Sequence, residues 1–214
     1  MWLQSYYKEK DSIESMGTFE KLTLGQYCAL WEKGAPTASP IMCVLAIKKD
    51  ENLLPLRAKS CIVVLGNHED QVWTKSEKFA PILRPDLLRF FTSLAVNHHR
   101  TLKQGDVKNI FCNIDLPPDK VTIVHSSMGN PGARKNEYWL LRKTCYGLQR
   151  SPRYWFNKID DIFKSIGLKP NLYDPCLYSG FIQDPSNNSN TSTMLDIAVG
   201  LYVDDFVFFS KTLQ

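Results

Sequence analysis

The sequence predicts an α+β fold, and three stretches carry that expectation. Leu195 to Ser210 reads LDIAVGLYVDDFVFFS, two apolar runs around the adjacent carboxylates Asp204 and Asp205, which is the pattern of a buried β-hairpin with an acidic tip. Residues 41–49 and 57–65, IMCVLAIKK and RAKSCIVVL, form a second strand pair across a turn opened by Asp50, Glu51 and Asn52. Residues 85–99 and 151–167 instead place apolar side chains at helical spacing.

With 214 residues, 43% of them apolar and 12% aromatic, the chain can bury a large core in one or two domains. Its 26 basic and 22 acidic side chains leave a net charge of +4, compatible with a polyanionic partner without requiring one. The six cysteines lie scattered at 28, 43, 61, 112, 145 and 176, with no paired spacing, and read as reduced core thiols. The N-terminus lacks the pattern of a signal peptide, so an intracellular protein is expected.

In chain order, residues 1–25 suggest a short helix and then an extended segment, and Gly34 to Pro40 a loop rich in breakers. On the strand at 57–65, alternation places Arg57, Lys59, Cys61, Val63 and Leu65 on one face. With Lys48 and Lys49 opposite, these cations could hold phosphate oxygens or simply form a solvated edge. The stretch 66–81 is polar and irregular, and His68, Glu69 and Asp70 read as loop residues rather than a metal site. Pro85 opens an amphipathic helix with Leu87, Leu88, Phe91, Leu94 and Ala95 on its core face. A strand is expected around Val107 to Phe111, with Asp106 at or just before its start. Shorter strands follow at Val121 to Val124 and in EYWLLRKT at 137–144. Ser151 as N-cap, Pro152 at the first position and Gly167 as terminator frame a helix whose apolar face is Trp155, Ile159, Ile162, Phe163 and Ile166. Gln149, Arg150 and Arg153 surround its N-terminus with donors suited to phosphate. NLYDPCLYSGF at 171–181 reads as a turn and strand, and residues 183–194 as a polar loop. At the acidic tip, two neighbouring aspartates repel each other unless a cation lies between them, and a divalent metal is the natural candidate. Turn chemistry alone is the alternative, although a two-residue hairpin loop prefers a glycine after aspartate.

Four motifs then converge: GDVKNIFCN around Asp106, CYGLQRSPRYWF at 145–156, YDPCLY at 173–178 and LYVDDFVFFS at 201–210. With PIMCVLAIKKDEN at 40–52, RAKSCIVVLG at 57–66 and KFAPILR at 78–84, they run in order over nearly the whole chain. In these the chain resembles the reverse transcriptase domain of copia-type long-terminal-repeat retrotransposons. The resemblance implies an RNA-directed DNA polymerase of right-hand architecture: fingers over residues 1–100, and over 101–214 a palm whose antiparallel sheet is backed by helices, with the thumb absent. It implies two Mg2+ ions, replaceable by Mn2+, held by Asp106, Asp204 and the Val107 carbonyl, with Asp205 supporting the catalytic pair. Arg57 and Lys59 would grip the triphosphate, and Phe111 would stand against the nucleotide sugar. Gln149 would meet the incoming nucleotide, Ser151, Pro152 and Arg153 the template and primer, and Tyr202 the primer end. The implied partners are an RNA or DNA template-primer, deoxynucleotides and other Pol regions (thumb, ribonuclease H, integrase), with no membrane. The setting would be a cytoplasmic virus-like particle or the nucleus.

Five positions depart from the family pattern, the mildest being Cys145 in place of leucine. Cys61 and Leu65 stand where arginines are usual, so weaker triphosphate binding is expected. Ile110 replaces a small alanine and is expected to obstruct the nucleotide, and Ile114 replaces a glycine and is expected to strain its backbone. These positions also support a second expectation, an inactive relic with weak nucleic-acid binding.

Overall fold

The computed structural model describes residues 1–126, 130–131, 134, 136–183 and 194–212. The chain forms two compact units, each discontinuous: Met1–Lys78 with Phe111–Ser151, and Phe79–Ile110 with Pro152–Gln214. Both combine helices with one five-stranded sheet, so the fold is α+β.

In the first unit, α1 (Trp2–Ser15), β1 (Phe19–Leu22), α2 (Leu24–Glu32), β2 (Ser39–Lys49) and β3 (Pro55–Val64) are followed, after the chain's excursion through the second unit, by β5 (Ile123–Ser126) and β6 (Tyr138–Leu141). The sheet order is β1-β6-β5-β2-β3, antiparallel except for the β2/β5 pair. Its core forms where Phe19 stacks on Trp139 at 4.2 Å beside the buried Ile41, Ile123, Val124 and Leu141. Lys10 lies 5.0 Å over the Trp139 ring and pairs with Glu137, which gives a buried cation both a carboxylate and an aromatic face. α1 runs along the outer edge of β3. Ser5 donates to the Ala58 carbonyl at 3.3 Å, and the Glu9 carboxyl accepts the Ile62 N–H, so side chains satisfy an edge that would otherwise be open.

α2 is absent from the sequence expectation, yet its signal is present. Thr23 and Gln26 form a capping box, the Gln26 N–H meeting the Thr23 hydroxyl at 3.3 Å and the Thr23 N–H meeting Gln26 Oε1 at 2.8 Å. Residues 66–81 contain a short 3-10 turn at Gly66–His68 and one helical turn, α3 (Lys75–Lys78).

In the second unit, α4 (Pro85–Asn97), β4 (Lys103–Asp106), α5 (Ser151–Ser165), β7 (Lys169–Pro170), β8 (Leu177–Gln183), β9 (Met194–Tyr202) and β10 (Asp205–Thr212) build a fully antiparallel sheet, order β4-β10-β9-β8-β7. Paired residues share a face, so the register sorts the sheet's two sides. Leu177, Ala198, Gly200, Tyr202, Asp205, Val207, Phe209, Gln104 and Asp106 face one way, and α4 covers part of that side through Phe91 and Ala95. Tyr178, Val199, Leu201, Phe206 and Phe208 face the other way. There Phe163 of α5 meets Tyr178 edge-on at 4.8 Å, and the Tyr178 hydroxyl donates to Asp160 at 3.0 Å.

Several expectations need correction. The strand near Asp106 precedes it: β4 ends on Asp106, and 107–111 turn away, with Asn109 at φ 50, into a 3-10 turn at Ile110–Asn113. Only Trp155, Ile159 and Phe163 form the buried stripe of α5. Ile162 and Ile166 are 42% and 48% exposed, because the i, i+4, i+8 row rotates them out of the contact. Ser151 is the first helical residue rather than the cap, and its buried hydroxyl donates backward to the Cys145 carbonyl at 2.7 Å. The short strand at 121–124 starts at Ile123. Cys28 is exposed, not a core thiol. Residues 184–193 of the polar loop lie outside the described residues. No described helix is long and apolar enough to cross a membrane.

Candidate active site

The acidic hairpin is assembled within the second unit. β9 and β10 pair through Tyr202 and Asp205, leaving Val203 and Asp204 as a two-residue turn. Asp205 stands directly opposite Asp106 on the neighbouring strand, so Tyr202, Asp205 and Asp106 form one row across three strands on one face. Cross-strand partners have Cβ atoms roughly 5 Å apart, which brings the two carboxylates side by side. Asp204 lies in the turn, and its carbonyl accepts the Val107 N–H at 3.3 Å, tying the turn to the chain just after Asp106.

The sheet face explains why this row is open. Phe209 and Ala198 lie under α4, and Leu83 comes within 3.0 Å of a Cβ placed on Gly200. One pair further along, at Tyr202 and Asp205, the covering stops and Tyr202 is 49% exposed. On the opposite side, a Cβ on Gly105 would lie 2.2 Å from the Phe206 ring, so the glycine before Asp106 makes room for the aromatic beneath the site.

Two features fix the tip. Trp155 Nε1 of α5 donates to the Val203 carbonyl at 2.6 Å, and Val203 itself sits at φ 55, in the left-handed region that a β-branched residue seldom occupies. Gln104 Nε2 donates to Asp205 Oδ1 at 3.3 Å. Among the described residues no ion pair neutralises Asp106, Asp204 or Asp205. Nor is there a group of three or more His, Cys, Asp or Glu side chains that could hold a metal alone. Two opposed carboxylates fit Mg2+ nonetheless, because this ion is commonly bound by one or two carboxylates and completes its octahedron with water and substrate phosphates.

The first unit holds the other predicted residues. On the β2/β3 hairpin, Lys48 pairs with Arg57 and Ala46 with Lys59, which puts three exposed cations on one face. Cys61 continues that face, and burial pushes its thiol up to about 11, so it stays neutral where a further cation was expected. Phe111 is buried edge-on against Tyr146 at 4.8 Å. Gln149 is half-buried, its side-chain amide donating to the Gly66 carbonyl at 2.6 Å and its backbone N–H to Glu69 at 3.0 Å. In the second unit, Pro152 and Arg153 lie half-buried in the first turn of α5, and Arg153 donates to the Phe79 carbonyl at 3.4 Å.

One expected effect of the departures does not occur: Ile114 has no positive φ, so its backbone carries no such strain. Ile110 is fully buried. Sequence reasoning missed the supports. Gly147, at φ 90, packs so tightly that a Cβ would lie 1.9 Å from the Val64 carbonyl, which explains the glycine inside CYGLQR. Glu69, passed over as a loop residue, accepts from Trp73 Nε1 at 2.8 Å as well as from Gln149. The buried Arg150 stacks 3.7 Å over Trp73.

Comparison with known proteins gives concordant matches. The family described as reverse transcriptase (RNA-dependent DNA polymerase) matches residues 37–214. The chain is 28% identical over 211 residues to the retrovirus-related Pol polyprotein from transposon TNT 1-94 of Nicotiana tabacum, covering 98% of this chain and 14% of that protein. It is 29% identical over 126 residues to the retrovirus-related Pol polyprotein from transposon RE1 of Arabidopsis thaliana, covering 57% of this chain and 8% of the relative. The chain thus spans only a small part of the curated relatives it matches.

Proposed function

The chain belongs to the reverse transcriptase (RNA-dependent DNA polymerase) family, in its copia-type retrotransposon branch, and from that premise we propose that the row Tyr202, Asp205, Asp106 is its nucleotidyl-transfer centre. The second unit's sheet then acts as the palm and the β2/β3 hairpin as the fingers, within a longer Pol polyprotein. The observation that carries this reading is the cross-strand pairing of two carboxylates that have no neutralising ion pair among the described residues, on a face left open beside an exposed tyrosine.

Asp106 and Asp205, with Asp204 and the Val107 carbonyl at the turn, would hold two Mg2+ ions, or Mn2+ in their place. When bound, these lower the pKa of a primer 3′-hydroxyl and offset charge on the triphosphate during in-line attack. Tyr202 offers its ring to the primer end. Lys48, Arg57 and Lys59 supply charge-assisted hydrogen bonds to phosphate oxygens, with no contribution from Cys61. Gln104 holds Asp205 and relieves part of its repulsion with Asp106. By the family resemblance alone, Gln149 and Phe111 would meet the incoming nucleotide, and Ser151, Pro152 and Arg153 the template and primer.

Mn2+ titration followed by paramagnetic broadening of backbone amide signals tests the metal assignment. Broadening centred on Asp106, Tyr202 and Asp205 and lost in an Asp106→Asn, Asp205→Asn double variant is expected. The same broadening in the double variant would overturn it.

A further inference from the structure

We propose that Cys112 and Cys145 form a redox-sensitive staple, a disulfide made in oxidising surroundings and opened in reducing ones. Both residues belong to the first unit and lie beside points where the chain passes to or from the second: Cys112 two residues after Ile110, and Cys145 six residues before Ser151. A bond between them closes residues 112–145 into a covalent loop anchored near both passages.

The backbone brings the two together. Thr144 N–H donates to the Ile114 carbonyl at 2.8 Å, Leu116 N–H donates to the Arg142 carbonyl at 2.8 Å, and Asp115 pairs with Lys143 between them, so the segments run antiparallel. Continued by one residue, this register sets Asn113 opposite Cys145 and makes Cys112 its diagonal neighbour. The 3-10 turn at Ile110–Asn113 carries Cys112, and the fully buried Thr144 fixes that turn by donating its hydroxyl to the Phe111 carbonyl. Cys112 and Cys145 are 1% and 7% exposed, and their thiols hydrogen-bond each other.

That bond makes the two sulfurs unequal. Cys112 accepts the Cys145 S–H, which lowers its pKa although burial opposes the shift, while the same bond and burial push Cys145 well up. Cys112 is therefore the sulfur that ionises first, and Cys145 is its resolving partner. The oxidant is a low-molecular-weight disulfide such as oxidised glutathione. The Cys112 thiolate attacks one of its sulfurs and expels a glutathione thiolate. Cys145, its proton released to solvent, then attacks the Cys112 sulfur of the mixed disulfide and expels the second. Two protein thiols are oxidised, one glutathione disulfide is reduced, and the two protons end on the two glutathione thiols. Because both protein thiols are buried, the exchange proceeds while the segment is transiently open.

The other cysteines are less well placed. Val44 stands opposite Cys61, so Cys43 and Cys61 point to opposite faces of their hairpin. Cys28 is exposed, and Cys176 lies in the second unit. Cys61 is near enough to influence Cys145 and is the competing partner.

The full chain would be equilibrated at fixed ratios of reduced to oxidised glutathione, once in buffer and once in concentrated urea. Free thiols would then be blocked with N-ethylmaleimide, and the unreduced digest read by mass spectrometry. The expected product is a Cys112–Cys145 cross-link that dithiothreitol reverses. Its oxidation constant should be roughly tenfold or more larger in the folded chain, because a disulfide that fits the native geometry favours folding by the same factor. No cross-link at any ratio, a cross-link from Cys61 to either thiol in its place, or a constant no larger folded than unfolded would overturn the proposal.

Discussion

Val203 is the residue at which the hairpin tip departs most from local preference. Its φ of 55 places a β-branched side chain in a conformation that costs roughly 1–2 kcal/mol, and the Trp155 hydrogen bond to its carbonyl holds it there. Strain of this kind persists where surrounding structure over-determines it, and it sits here between Tyr202 and Asp204. Val203→Gly would relieve the strain while adding about 0.5–1 kcal/mol of unfolded-state entropy. The expected result is a melting temperature raised by a net gain of up to about 1.5 kcal/mol, and a lowered one would show that the valine's packing outweighs its strain. Trp155→Phe keeps most of the buried ring and removes the N–H. It should cost about 1–2 kcal/mol in denaturant unfolding, and an unchanged midpoint would mean that the turn does not depend on α5.

At the scale of elements, α1 and β3 form a unit whose stability depends on pH. Burial raises the Glu9 carboxyl above its ordinary value, while Lys59 and the Ile62 N–H oppose that shift. With the folded-state pKa above the unfolded one, the native chain binds more protons in the interval between them, so stability falls as pH rises from the ordinary glutamate range through the raised value. Glu9→Gln keeps an acceptor for Ile62 and removes the ionisation. In pH-dependent thermal melts that fall should flatten, with the variant at least as stable at neutral pH. An unchanged slope would assign the effect to other carboxylates.

Across the whole molecule, what the sequence made legible follows from how local the cause is. The two hairpins and the apolar stripe of α4 are written in periodicity, and they fold where the periodicity puts them. β4 was misplaced because its residues, KQGD, carry no strand preference; pairing with β10 makes it a strand. The acidic residues of the candidate site were legible as a motif. Their arrangement was not, since only the register of three strands sets Asp205 rather than the turn residue Asp204 opposite Asp106. The supports from Trp155, Gln104 and Gly147 are tertiary contacts and leave almost no local signal. Neither did the sequence show that Ile110 would be absorbed into the core. The most direct test of the central claim is Mg2+-dependent extension of a DNA primer on an RNA template by this chain, compared with Asp106→Asn and Asp205→Asn. Extension reduced roughly 100-fold or more in each variant, with folding intact, is predicted. No metal-dependent incorporation by the unaltered chain, or incorporation that survives both substitutions, would contradict it.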